Sequence, residues 1–147
     1  MRALKLIIAA AVLFFAWKLA GPMLKEKLRL TKGESTSDNG CVSAAQRASN
    51  AWGDGLGRFV NPPYDVDAWS RFKSSVESKI SSAESECGCP AESCHRVKTA
   101  MRDLRALVGD LDNSIRSGSP PPGDAVQRQE AIDNAIDEAQ VLVRAGK

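Results

Sequence analysis

The chain has 147 residues, with 20 Lys and Arg against 18 Asp and Glu, which suits one compact domain plus an appendage. The net charge of +2 hides a division: residues 1–32 carry seven Lys/Arg against Glu26 alone, and the other 115 residues carry thirteen against seventeen, a net −4. A basic collar beside an acidic domain lacks the basic face that nucleic-acid binding asks for and suits contact with a membrane surface, so no nucleic-acid partner is expected.

Residues 6–17 are apolar without a break, preceded by Arg2 and Lys5, and the run resumes after Lys18 as far as Leu24. Counted over residues 4–24, it reaches the roughly 20 residues needed to cross a bilayer core. Lys18 can snorkel to the headgroups, and Trp17 falls at the depth where interfacial aromatics gather. Residues 1–24 are therefore read as a single-pass anchor, in contact with lipid through residues 4–24. A cleaved signal peptide is the competing reading, but the small-x-small pattern before Gly21 is poor, with Lys18 and Ala20 at its two positions. Cysteine usage puts the domain outside the cytoplasm, in a periplasm-like compartment. The positive-inside rule pulls the other way, because more basic residues follow the span than precede it. The cysteines are given the greater weight.

Residues 25–40 begin as a charged helical extension and end in a Gly/Ser/Thr/Asn-rich stretch with the composition of a flexible tether. Residues 41–147 form the domain. There, apolar residues recur in steps of four and three, the helical period. Segment A (41–60) carries Cys41, Ala45, Ala48, Trp52, Gly55 or Leu56, and Phe59. Segment B (66–87) carries Trp69, Phe72, Val76, Ile80, Ala83 and Cys87. Segment C (90–116) carries Cys94, Val97, Met101, Leu104, Val108, Leu111 and Ile115. Segment D (124–145) carries Ala125, Gln129, Ile132, Ile136, Ala139 and Val143.

Each set lies on one face and must be buried against the others, so an all-α antiparallel bundle of three to four helices is predicted. Asp65 is the expected N-cap of B, Pro90 the expected opening of C, and Gly118 its stop. Asp124 with Gln127 resembles a capping box for D. Gly53, Gly55 and Gly57 should fray segment A, at about 1 kcal/mol each relative to Ala, or mark a close helix contact beside Trp52. Their spacing fits neither nucleotide-binding pattern.

Cys87-Gly-Cys89-Pro-Ala-Glu-Ser-Cys94-His95 holds three of the four cysteines and the one histidine. In an antiparallel bundle the start of A, the end of B and the start of C meet at one end, which brings Cys41, Cys87, Cys89 and Cys94 together as a disulfide staple. Four cysteines allow three pairings, and sequence alone selects none. A Cys87–Cys89 ring would be small and strained. The preferred arrangement is Cys87–Cys94 with Cys41–Cys89, and a bond from Cys41 would contribute about 2–4 kcal/mol.

The alternatives are a stretched haem-attachment pattern at Cys89, Cys94 and His95, with Met101 as a second axial ligand, and a zinc set of Cys87, Cys89, Cys94 and His95. A redox-active Cys87-Gly-Cys89 turn is the third. No cofactor or metal is favoured. Lys98, Arg102 and Arg105 form a basic stripe balanced by Asp103, Asp110 and Asp112, and Asp133, Asp137 and Glu138 read as surface. A single histidine beside a cysteine supports no hydrolytic triad, so no enzymatic activity is expected. The expected function is that of a structural or accessory subunit docking on proteins of a larger membrane assembly, with a haem electron-transfer module as the alternative.

Overall fold

A computed structural model describes residues 38–146. Helix α1 covers 38–56 and is followed by a 3-10 turn, Gly57–Phe59; α2 is Val66–Glu86, α3 Glu92–Ser117 and α4 Ala125–Arg144. No strand occurs among the described residues, as the helical period predicts. No helix among them is long and apolar enough to cross a membrane, and the anchor expected over residues 1–24 lies outside them.

Helix α3 packs against both α2 and α4. Helix α1 completes the bundle, meeting α2 through Trp52 and α4 through Ser49. Chain neighbours therefore pack together and the first helix meets the last, the arrangement of an up-down bundle. The expected seams are buried: Trp69, Val76, Ile80 and Ala83 of α2, Val97, Met101, Leu104 and Val108 of α3, and Ile132, Ile136 and Ala139 of α4 are almost inaccessible to water.

The helix ends agree with the sequence in part. Asp65 caps α2, its Oδ1 accepting the Ala68 N–H at 2.8 Å. Gly118 adopts the left-handed conformation (φ 67°), which lets Ser119 N–H donate to the Ser114 carbonyl at 2.8 Å and closes α3. Two boundaries and one capping bond differ. Asp38, Asn39 and Gly40, expected as tether, are already helical. Helix α3 opens at Glu92 after an Ala91 N-cap, not at Pro90, because the chain must first turn through Cys89 and Pro90. Asp124 takes the N-cap position of α4 but forms no capping bond; its carboxylate instead lies 3.9 Å from the Arg128 guanidinium.

The glycine-rich stretch stays helical through Leu56, and the reason is a close approach. Phe72 lies against the backbone of Gly55, where any Cβ would overlap the ring. The ring stacks on Trp52 (5.9 Å between centroids) and on Phe59 (5.3 Å), and Trp69 meets Trp52 and Phe59 edge-on. Such pairs contribute about 0.5–1.5 kcal/mol each beyond the area they bury. Gly53 is exposed and nothing lies near its missing side chain. Two alanine substitutions two residues apart should therefore act in opposite directions. In urea unfolding, Gly55→Ala should cost about 1–3 kcal/mol by overpacking. Gly53→Ala should stabilise by about 0.5–1 kcal/mol through helix propensity.

One carboxylate ties the middle of the bundle's core to its charged surface. Asp112 on α3 accepts from Trp69 Nε1 at 2.7 Å, Lys73 Nζ at 2.9 Å and Arg116 Nε at 3.0 Å. Burial pushes its carboxyl up, but those three hydrogen bonds and the Lys73 charge outweigh it and hold the group down at about 2, against an ordinary 3.8. A depressed folded-state value means that the ionised group stabilises the fold above about 3.8 and loses that contribution as pH falls toward 2. Asp112→Asn should cost about 1.5–3 kcal/mol at pH 7, the range for hydrogen bonds to a charged group. Denaturation curves of wild type and variant should converge between pH 4 and pH 2.

Candidate functional site at the two ends of the bundle

The start of α1, the end of α2 and the start of α3 do meet, and the four cysteines gather there as expected. The pairing differs from the preferred one. Cys41 is bonded to Cys87, with Cα atoms 4.7 Å apart, and Cys89 to Cys94, with Cα atoms 6.0 Å apart. The cause is the position of each residue on its helix. Cys41 and Cys87 both fall on buried seams, on the facing surfaces of α1 and α2, and are inaccessible to water. Cys89 lies past the end of α2 in the turn, where the chain carries it to the first turn of α3 and to Cys94.

This pairing separates the residues of the alternative sites. The thiols of Cys89 and Cys94 that haem or zinc would use are joined to each other, and Cys87 of the zinc set and of the Cys-Gly-Cys turn is joined to Cys41. His95 is exposed, whereas Met101 is fully buried. Six residues apart on one helix, the two point to different faces and do not converge on one iron. The acidic neighbour of this end is Asp38, whose Oδ1 lies 3.6 Å from Cys94 Sγ. Asp38, Cys89 and Cys94 are the one group of metal-ligand types found within 4.8 Å of one another among the described residues, but two of its three members are the bonded sulfurs.

The charged stripes resolve into struts between helices. Arg105 donates to Glu84 of α2 at 2.7 Å, and Arg96 to Glu138 of α4 at 2.6 Å. Arg128 of α4 donates to Asp110 of α3 at 2.8 Å. Asp133 accepts from Ser49 of α1 and from Gln129 at 3.0 Å. Lys98, Arg102 and Asp137 stay on the exposed surface. Asp112 was placed by the sequence among charges balancing the stripe. The signal for its buried role was its register: it follows Val108 by four and precedes Ile115 by three, so it lies on the apolar seam.

Toward the other end of the bundle is a feature that sequence periodicity did not reveal, an apolar cleft of about 270 Å³. Its walls are Trp52 and Leu56 of α1, Leu107 and Leu111 of α3, and Pro121 and Ala125 where the chain enters α4. Val60 and Val126 lie at its edge, 44% and 67% exposed. The cleft forms where the proline-rich connection brings α4 back onto the bundle, a geometry set by a turn and not by a helical period.

No family model, curated protein or solved structure matches this chain. The site must therefore be read from its own chemistry.

The two disulfides close loops of very different length, with sequence separations of 46 and 5. In the chain-entropy picture the first contributes about 4 kcal/mol and the second about 2 kcal/mol. Replacing Cys41 and Cys87 by Ser should lower the unfolding free energy by about twice as much as replacing Cys89 and Cys94, measured by guanidinium titration without reductant.

Proposed function

We propose that this chain is a membrane-anchored, extracytoplasmic, disulfide-stapled helical bundle that serves as an accessory or scaffolding subunit of a larger membrane assembly. The observation that carries the reading is the closure of all four cysteines into two disulfides, one of them fully buried between helices. Such bonds persist in oxidising compartments. The apolar run at residues 6–17 with its basic flanks supplies the attachment. Confinement to a membrane surface suits a domain that works by meeting neighbours there.

The interior of the bundle supports an interaction role over a catalytic one. The carboxylate held well below its ordinary value, Asp112, is occupied by Trp69, Lys73 and Arg116 and serves to join α2 to α3. The histidine lies on an exposed face, away from the apolar cleft. The cleft lies away from the stapled end, where the chain enters α1, and so leaves an apolar surface for a partner.

The test is the intact mass of the full chain recovered from alkaline-washed membranes and alkylated without reductant. The expected mass retains residues 1–24, carries no alkyl groups and is lower by four hydrogens. Four alkylated thiols would place the domain in a reducing compartment and overturn the reading. Loss of the first 20 or so residues, or release into the wash, would replace the anchor by a cleaved signal. A mass heavier by one haem would turn the account to electron transfer.

A further inference from the structure

The two disulfides lie at the same end of the bundle but in different settings. Cys41 and Cys87 are inaccessible to water and join α1 to α2 across a sequence separation of 46. Cys89 and Cys94 are separated by 5 and join a turn to the first turn of the helix that follows it. Cys94 is buried, whereas Cys89 is partly exposed and sits between Gly88 and Pro90, both exposed. Of the four cysteines, Cys89 is the one that water reaches. Opening its bond would leave α1 joined to α2 through Cys41–Cys87. Helix α3 would still be tied to α2 through Asp112 and through Arg105 with Glu84.

The short bond also has a neighbour that suits its reduced form. Asp38 Oδ1 lies 3.6 Å from Cys94 Sγ, and this carboxylate and both sulfurs fall within 4.8 Å of one another. A sulfur in a disulfide has no proton to donate, so the contact is no hydrogen bond while the bond is closed. A Cys94 thiol would donate its S–H to that same oxygen. The fold therefore places an acceptor beside Cys94 that only the dithiol form puts to use.

We infer that Cys89–Cys94 is an exchange disulfide, which accepts two electrons from a pair of cysteine thiols on a protein partner while Cys41–Cys87 stays closed. A partner thiolate attacks Cys89 Sγ, forming a mixed disulfide there as the Cys89–Cys94 bond breaks. The electron pair leaves on Cys94 Sγ, where the N–H groups of the first turn of α3 favour the arriving charge. Cys94 then takes up a proton from water, matching the one the attacking thiol gave up, and donates the S–H to Asp38. The partner's second thiolate attacks the partner sulfur of the mixed disulfide, and Cys89 leaves and is protonated in turn. The partner is oxidised to a disulfide and loses two hydrogens, and this chain gains both. The inference goes beyond the accessory-subunit reading and does not rest on the membrane anchor.

The test is a titration of the oxidised full-length chain, held in lipid nanodiscs, with reduced glutathione at about pH 6.5. At that pH a thiol of ordinary value, about 8.5, keeps its proton. Samples are quenched and alkylated, and fragment masses place each alkyl group and each glutathione adduct. Cys89 and Cys94 should become alkylated over a range in which Cys41–Cys87 remains closed and the circular dichroism is unchanged. The glutathione adduct should sit on Cys89. Asp38→Ala should move the equilibrium toward the disulfide about two- to tenfold, on the scale of one hydrogen bond, and Asp38→Asn, which keeps an acceptor oxygen, should move it less. Opening of Cys41–Cys87 first, or of both bonds together, would overturn the proposal, as would an adduct on Cys94. An equilibrium unmoved in Asp38→Ala, or moved toward the dithiol, would overturn it as well. The wild-type measurements stand without any variant, so they decide the matter even where a substitution fails to fold.

Discussion

The bond between Cys41 and Cys87 joins α1 to α2 where their facing side chains are smallest, and the rest of the bundle is arranged around that difference in size. The buried residues that α1 and α2 contribute at this end are Cys41, Val42, Ala44, Ala45, Ala48, Ala83 and Cys87, while α3 brings Val97 and Met101. Small side chains bring backbones close, and the two cysteine Cα atoms stand only 4.7 Å apart. They also bury little area, at roughly 25 cal/mol per Å² of apolar surface, so packing of α1 on α2 contributes little here. The covalent link compensates by limiting the unfolded chain. At the other end the relation reverses. Trp52, Phe59, Trp69 and Phe72 supply large buried surfaces, and Gly55 yields the space that Phe72 needs. The bundle is held covalently at one end and by aromatic packing at the other.

Apolar seams specify register less strictly than paired charges do, since Leu and Ile layers on successive turns can exchange at modest cost. The polar ties remove that freedom. Asp112 holds α3 to α2 through Trp69 and Lys73 at the aromatic end, and Arg105 holds the same pair through Glu84 nearer the cysteines. Arg96 with Glu138 and Arg128 with Asp110 hold α4 to α3, antiparallel, at two levels. Most of these pairs are exposed and contribute a few tenths of a kcal/mol each to stability. Their effect is on register, where a slipped helix would leave several charges unpaired at once. Asp112 differs in being buried, and there an unpaired carboxylate carries the larger penalty.

How far the sequence reveals all this depends on the range of the interaction involved. The helices were legible because a 3.6-residue period is a local property, and so was the Asp65 cap, whose partner is three residues away. Gly118 was legible for the same reason. The gathering of the cysteines followed from antiparallel topology. Their pairing did not, because Cys87, Cys89 and Cys94 lie within eight residues at the same end, and spacing does not say which of them faces α1. The preference for Cys87–Cys94 treated the B–C hairpin as the unit. The helical seam, which puts Cys41 and Cys87 both in the core, was the better guide. The Asp124 box was misread because a local pattern was matched without the connection that precedes it. The cleft was invisible for a related reason: its walls come from α1, α3 and a proline-rich connection, and no period links them.

The two ends therefore pose opposite physical problems, and this is the argument for assigning them different tasks. At the stapled end the sulfurs are bonded, Arg96 is paired with Glu138, and the chain enters α1, with Ser93 Oγ the one buried polar atom there that lacks a partner among the described residues. A structure under selection for stability alone would close its other end in the same way, for example with an apolar residue in place of Gln129. Instead that end keeps an apolar cleft lined in part by Trp52 and Leu56, with Val60 and Val126 exposed beside it. Local departures from good packing and hydrogen bonding tend to collect where a protein works, offset by firm structure elsewhere. Here the compensation is visible in the covalent staple and the aromatic cluster, which hold the bundle rigid enough for an imperfect pocket to keep its shape.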